Sequence, residues 1–91
     1  MYYHLTLEEI NGEQEYGYDY LVTAPSMEVA EQIAEEQARS FYCDEDVEKN
    51  EDGWYEFFGG SIAVKIAWLA KTTKAAFVKR MLAVKTIGGE T

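Results

Sequence analysis

His4 is the only imidazole in the chain, so any acid–base or triad chemistry must pass through it. Ser26 and Ser40 have no visible basic partner nearby in sequence, and a Ser-His-Asp arrangement would reach His4 only by elimination. In a hairpin with a two-residue Asn11-Gly12 loop, His4 faces Asp19, a pairing that favours the protonated ring. A surface ion pair is the simpler reading of that pair than a general base. The single Cys43 has no second cysteine to form a disulfide and no clustered histidine to form a metal site, so it reads as an idle or buried thiol. The acidic run Asp44 to Asp52 has carboxylates at alternate positions, as calcium loops do. An EF-hand register starting at Asp44 fails, because Lys49 stands where glycine is required and Tyr55 where glutamate is required. Gly59-Gly60 is followed by no Lys-Ser/Thr pair and reads as a turn, not a phosphate cradle. No cofactor or metal is implied, and the residues point away from an enzyme.

The charge distribution carries more information. Residues 1–58 hold sixteen of the seventeen acidic side chains against Arg39 and Lys49, a formal −14. Residues 59–91 hold Lys65, Lys71, Lys74, Lys79, Arg80 and Lys85 against Glu90, a formal +5 that brings the chain to −9. An acidic protein of this kind is repelled by nucleic acid and anionic membranes, so its expected partner is a basic protein surface. The basic residues form no single stripe. They read as neutralising neighbours of the acidic half, within one monomer or between head-to-tail copies.

These groups must be positioned by a domain of 91 residues with 47% hydrophobic and 14% aromatic content, enough for one core. Residues 1–87 are expected to form a single compact domain and 88–91 a frayed tail. No apolar run is long enough to span a bilayer and the N-terminus lacks signal-peptide character, so a cytoplasmic location is expected.

Residues Tyr2 to Thr23 read as a β-hairpin around Asn11-Gly12. A two-residue loop pairs Leu5 with Tyr18 and places Glu8 opposite Glu15, a like-charge cost. A four-residue loop, Asn11 to Gln14, keeps the same faces and sets Leu5 against Tyr20. Both even registers place Tyr3, Leu5, Leu7, Tyr16, Tyr18 and Tyr20 on one face. Ser26 caps a helix with apolar positions Met27, Ala30, Ile33, Ala34, Ala38, Phe41 and Tyr42. Its other face carries Glu28, Glu31, Gln32, Glu35 and Glu36, with Glu35 and Arg39 spaced to pair. Cys43 to Gly53 is a polar, mobile connection, with room for a short strand near Val47. Trp54–Phe58 and Ser61–Ala70 form a second hairpin over Gly59-Gly60. It pairs Phe57 with Ile62 and Tyr55 with Val64, sets Trp54 against Lys65, and extends its core side through Ile66 and Trp68. Thr72 or Thr73 caps a final helix through Phe77 and Met81, for which a strand over residues 76–81 is the rival. The result is an α+β fold: an antiparallel sheet of about four strands with two helices, order ββαββα, helices on one face.

The run Leu21-Val22-Thr23-Ala24-Pro25-Ser26-Met27-Glu28-Val29-Ala30, then an Ala/Glu helix, an acidic loop and Gly53-Trp54-Tyr55-Glu56, resembles small phage and mobile-element proteins. In size, acidity and hairpin-helix-hairpin order it resembles anti-CRISPR proteins in particular. That resemblance implies a non-catalytic inhibitor that occupies a basic surface of a CRISPR effector subunit or another host defence protein. The interaction candidates are then Glu28, Glu31, Glu35, Glu36, Asp44, Glu45, Asp46, Glu48, Glu51 and Asp52, standing in for phosphates. The alternatives are a homo-oligomeric regulatory or accessory module, the chain being a monomer or homodimer, and a small enzyme built on His4 and Asp19.

Overall fold

The computed structural model describes residues 1–89, and side chains through Leu82. The α+β class is as expected: one antiparallel sheet and two helices. The strands are β1 (Tyr2–Asn11), β2 (Gln14–Thr23), β3 (Glu48–Lys49), β4 (Trp54–Phe57) and β5 (Ile62–Thr72). The helices are α1 (Met27–Arg39) and α2 (Lys74–Gly89), and the sheet order is β2-β1-β5-β4-β3. The fifth strand is the two-residue β3, paired with β4 where a short strand near Val47 was expected.

The first hairpin adopts the second of the two even registers. Leu5 lies opposite Tyr20, Leu7 opposite Tyr18, and Asn11 pairs with Gln14 across the turn, in which Gly12 has φ +65. Glu8 now faces Gly17, so the like-charge pair of the tighter register is avoided. Tyr3, Leu5 and Leu7 are buried and Tyr18 and Tyr20 half-buried in the core, whereas Tyr16 is exposed and is not a core residue.

Strand β1 is an interior strand, because it also pairs along its length with β5, the middle strand of the sheet. Thr6 lies opposite Trp68 and Leu7 opposite Ile66, which leaves Ala67 as an extra residue in β5. The bulge reverses the alternation of side chains. Val64 and Ile66 face the core before it and Leu69 after it, while Trp68 turns to the other face and is 53% exposed. The expectation of a core-facing Trp68 assumed an unbroken period of two and is corrected.

The second hairpin has the expected pairs, Phe57 with Ile62, Tyr55 with Val64 and Trp54 with Lys65, and the Lys65 ammonium lies 5.5 Å from the Trp54 ring centre. Gly59 and Gly60 both have positive φ, at +70 and +94. The strand stops one residue earlier than expected, because Phe58 also takes a positive φ of +54.

Ser26 caps α1 by accepting from the Val29 amide at 3.3 Å. The buried stripe of α1 is Ala30, Ala34 and Ala38, all fully excluded from solvent. These small residues bring the helix backbone close to β1 and β5, and Met27 and Ile33 are left at its exposed margins. The helix ends at Arg39, short of the expected Tyr42, and Phe41 and Tyr42 pack on the core from the turn that follows.

Thr73 caps α2 through a 3.0 Å bond from the Ala76 amide, and residues 76–81 are helical, not a strand. Phe77 meets His4 edge-on at 5.1 Å. His4 alternates with the core-facing Tyr3 and Leu5, so α2 lies on the face opposite α1 and the expectation of both helices on one face is corrected. The expected tail at 88–91 is only partly described: Gly88 and Gly89 close α2, and residues 90–91 lie outside the described residues, as does the side chain of Lys85.

Candidate functional site

The imidazole is part of the sheet and not of a cleft. His4 is 5% exposed, beneath Phe77. Its Nε2 donates to Asp19 Oδ1 at 2.7 Å, and the Thr6 hydroxyl donates to the same oxygen at 2.7 Å. The contact to Asp19 is diagonal, since His4 lies directly opposite Leu21 and Asp19 opposite Thr6. Burial pushes the Asp19 carboxyl upward, but the bonds from His4 and Thr6 and the nearby Arg80 charge outweigh it and hold the group below its ordinary value. The expected His4–Asp19 pair is therefore present and joins β1 to β2, but it is not a surface pair, because His4 is buried beneath Phe77 of α2.

Eight of the ten candidate carboxylates stand exposed: Glu28, Glu31 and Glu36 on α1, and Glu45, Asp46, Glu48, Glu51 and Asp52 around β3. Glu36 is engaged by Arg39, one residue short of the Glu35–Arg39 pair expected. Glu35 turns instead toward β3 and β4, where its Oε1 accepts from Lys49 Nζ at 2.5 Å and from the Tyr55 hydroxyl at 2.9 Å. These two donors hold the Glu35 carboxyl below its usual range. The contact joins the acidic face of α1 to the acidic β3 segment.

Asp44 is also structural. Its Oδ2 accepts from the Phe58 amide at 2.7 Å and its Oδ1 from the Asp46 amide at 3.1 Å, and these two bonds hold the carboxyl below its ordinary value. The first bond fixes the backbone at the residue with φ +54, a conformation that costs about 1 kcal/mol or more for a side chain other than glycine. The segment expected to be mobile is tied down at its other end by Asn50. The Asn50 side chain accepts from the Asp52 and Trp54 amides and donates to Glu56 Oε2, and its backbone amide bonds Trp54 at 2.8 Å. Cys43 is exposed, so the thiol is not buried.

One carboxylate escaped the sequence reading altogether. Glu9 is 1% exposed on the α1 side of β1, with Oε1 accepting from the Tyr18 hydroxyl at 2.8 Å and Oε2 from the Tyr42 hydroxyl. Bonding to the carboxylate, then burial and the negative charge itself, push the Tyr42 phenol up to about 12; the same causes raise Tyr18. The signal was present in the strand: Tyr3, Leu5, Leu7 and Glu9 share one parity, so an alternating β1 sends Glu9 inward.

Between α1 and β5 runs a cleft of about 400 Å³ with Glu31 and Glu35 on its rim and Ile66 and Leu69 at its floor. On the far side of the sheet, the outer face of α2 presents Ala75, Val78 and Leu82, with Val78 44% and Leu82 56% exposed, flanked by Lys74 and Lys79. Among the described residues no group of three metal-binding side chains occurs, and no helix is long and apolar enough to cross a membrane. Comparison with protein-family models, with curated proteins and with solved structures returned no match.

Proposed function

We propose that this domain is a non-catalytic inhibitor of the anti-CRISPR type, encoded by a phage or mobile element. In this reading it binds a basic surface of a host defence effector in the host cytoplasm and blocks access of nucleic acid or of a partner subunit. The observation that carries the reading is the exposure of Glu28, Glu31, Glu45, Asp46, Glu48, Glu51 and Asp52, none of which makes an ion pair among the described residues. Free carboxylates fixed on a helix and a braced loop meet lysine and arginine with little reordering and steer association electrostatically. The mechanism is competition for cations that otherwise hold phosphate, so binding weakens as salt rises.

The test is capture of purified CRISPR effector complexes by the immobilised domain, followed by association kinetics at increasing salt. Glu35 and Asp44 are excluded from the variants, because neutralising either one removes a fold contact. Replacing Glu31, Glu45, Asp46 and Glu51 by their amides is expected to slow association by about tenfold or more. Failure to bind any effector, or unchanged kinetics in the fourfold variant, refutes the proposal.

A further inference from the structure

The helix α2 is apolar on two sides. Phe77 and Met81 are half-buried toward the sheet, while Ala75, Val78 and Leu82 form a second stripe at i, i+3 and i+7 on the outer side, open to solvent. A helix apolar on both sides ordinarily lies between two layers, and here only one layer is present. Lys74 and Lys79 flank the outer stripe and make no ion pair among the described residues.

The cleft between α1 and β5 has the complementary composition. Its floor is Ile66 and Leu69, and its rim is the exposed Glu31 and the half-buried Glu35. Glu35 is held by Lys49 and Tyr55, so the apolar stripe edged by ammonium groups matches an apolar floor edged by the unpaired carboxylate of Glu31, in both hydrophobicity and sign of charge. Each chain carries one of each.

We propose that the chain self-associates by seating the Ala75-Val78-Leu82 stripe of one copy in the Glu31/Ile66/Leu69 cleft of a second copy. The two surfaces lie on opposite faces of the sheet, since α2 covers His4 while Ile66 and Leu69 face α1. The contact is therefore heterologous, and each added copy leaves one stripe and one cleft unfilled. Association therefore continues past two chains, into an open chain or a ring, and does not stop at a closed dimer.

Sedimentation or light scattering at low salt over a wide concentration range reads this directly. The wild-type mass is expected to rise steadily above the 10.4 kDa of one chain without a plateau at two chains. Two variants block the two surfaces separately: Val78→Asp with Leu82→Asp for the stripe, and Glu31→Arg for the cleft. All three positions are exposed, and circular dichroism checks that the variants fold. Each variant alone is expected to remain at one chain. An equimolar mixture is expected to stop at two chains, because only the intact stripe of the Glu31→Arg copy and the intact cleft of the other can meet. A monomeric wild type overturns the proposal, as does a variant that associates like the wild type or a mixture that stays at one chain.

Discussion

Replacing Tyr42 by phenylalanine tests whether the buried carboxylate of Glu9 organises the junction between the first hairpin and the end of α1. The substitution keeps the ring contacts to Phe41 at 5.1 Å and Phe57 at 5.5 Å, so no cavity forms. What is lost is the hydroxyl that donates to Glu9 Oε2, in a residue 1% exposed. A hydrogen bond to a charged group contributes about 1.5–3 kcal/mol, and the orphaned oxygen is too enclosed to recover it from water. For a domain of this size that corresponds to a fall in midpoint temperature of roughly 10 °C. Urea titration followed by tryptophan fluorescence gives the free energy, with an unchanged slope showing that the unfolded reference is the same. The second arm is Glu9→Leu, which removes the charge and releases two half-exposed phenols to water. In that background Tyr42→Phe is expected to cost less than about 0.5 kcal/mol, leaving a coupling of at least about 1 kcal/mol between the two positions. A cost for Tyr42→Phe that is below about 0.5 kcal/mol in the wild type, or equal in both backgrounds, refutes the reasoning.

The same pair gives the protein an alkaline limit. The folded state holds the Tyr42 phenol protonated up to about 12 against an ordinary value of 10.0, so its stabilising contribution is complete below pH 10 and lost as pH rises through about 12. Tyr18 shifts in the same direction, and thermal midpoints between those limits are expected to fall less steeply in Tyr42→Phe than in the wild type. Ala34, fully excluded from solvent where α1 meets the sheet, tests the close approach of that helix. Ala34→Leu is expected to destabilise by about 1–3 kcal/mol through overpacking, and a neutral or stabilising result in urea titration would show that the interface has room to spare.

Local pairing was legible in the sequence because it depends on short-range patterns. The parity of the first hairpin, every pair of the second, the Ser26 cap and the alanine stripe of α1 follow from turn residues and side-chain periods alone. Long-range decisions were not legible. Nothing in either strand announces that β1 pairs with β5 or that Ala67 is squeezed out between Thr6 and Leu7, and one bulge is enough to turn Trp68 from the core to the open face. The side of the sheet taken by α2 is set by Phe77 meeting His4, a contact across 73 positions of chain that periodicity cannot carry. Phe58 adopts a left-handed conformation beside two glycines that would accept it more readily, held there by the distant carboxylate of Asp44.

The candidate interface sharpens for a related reason. Counted along the chain, ten carboxylates look equivalent; placed in the fold, they divide by what already satisfies them. Glu35 and Asp44 are spent on Lys49, Tyr55 and the Phe58 amide, and Glu36 is met by Arg39. Glu35 and Asp44 hold α1 and the β3 segment in place, so neutralising them would disturb the scaffold whatever the partner, whereas Glu36 makes an exposed pair within α1 alone. The other seven can be neutralised without removing a fold contact among the described residues, and only they can separate electrostatic recognition from folding. Glu31 stands in both proposals, on the acidic face and on the rim of the cleft between α1 and β5. If the outer stripe of a second α2 fills that cleft, it covers Glu31, and an external basic partner and a second copy then compete for the same carboxylate. The two proposals separate at Val78 and Leu82, which belong to the stripe alone: their replacement by aspartate is expected to abolish self-association while leaving Glu31 free for an external cation.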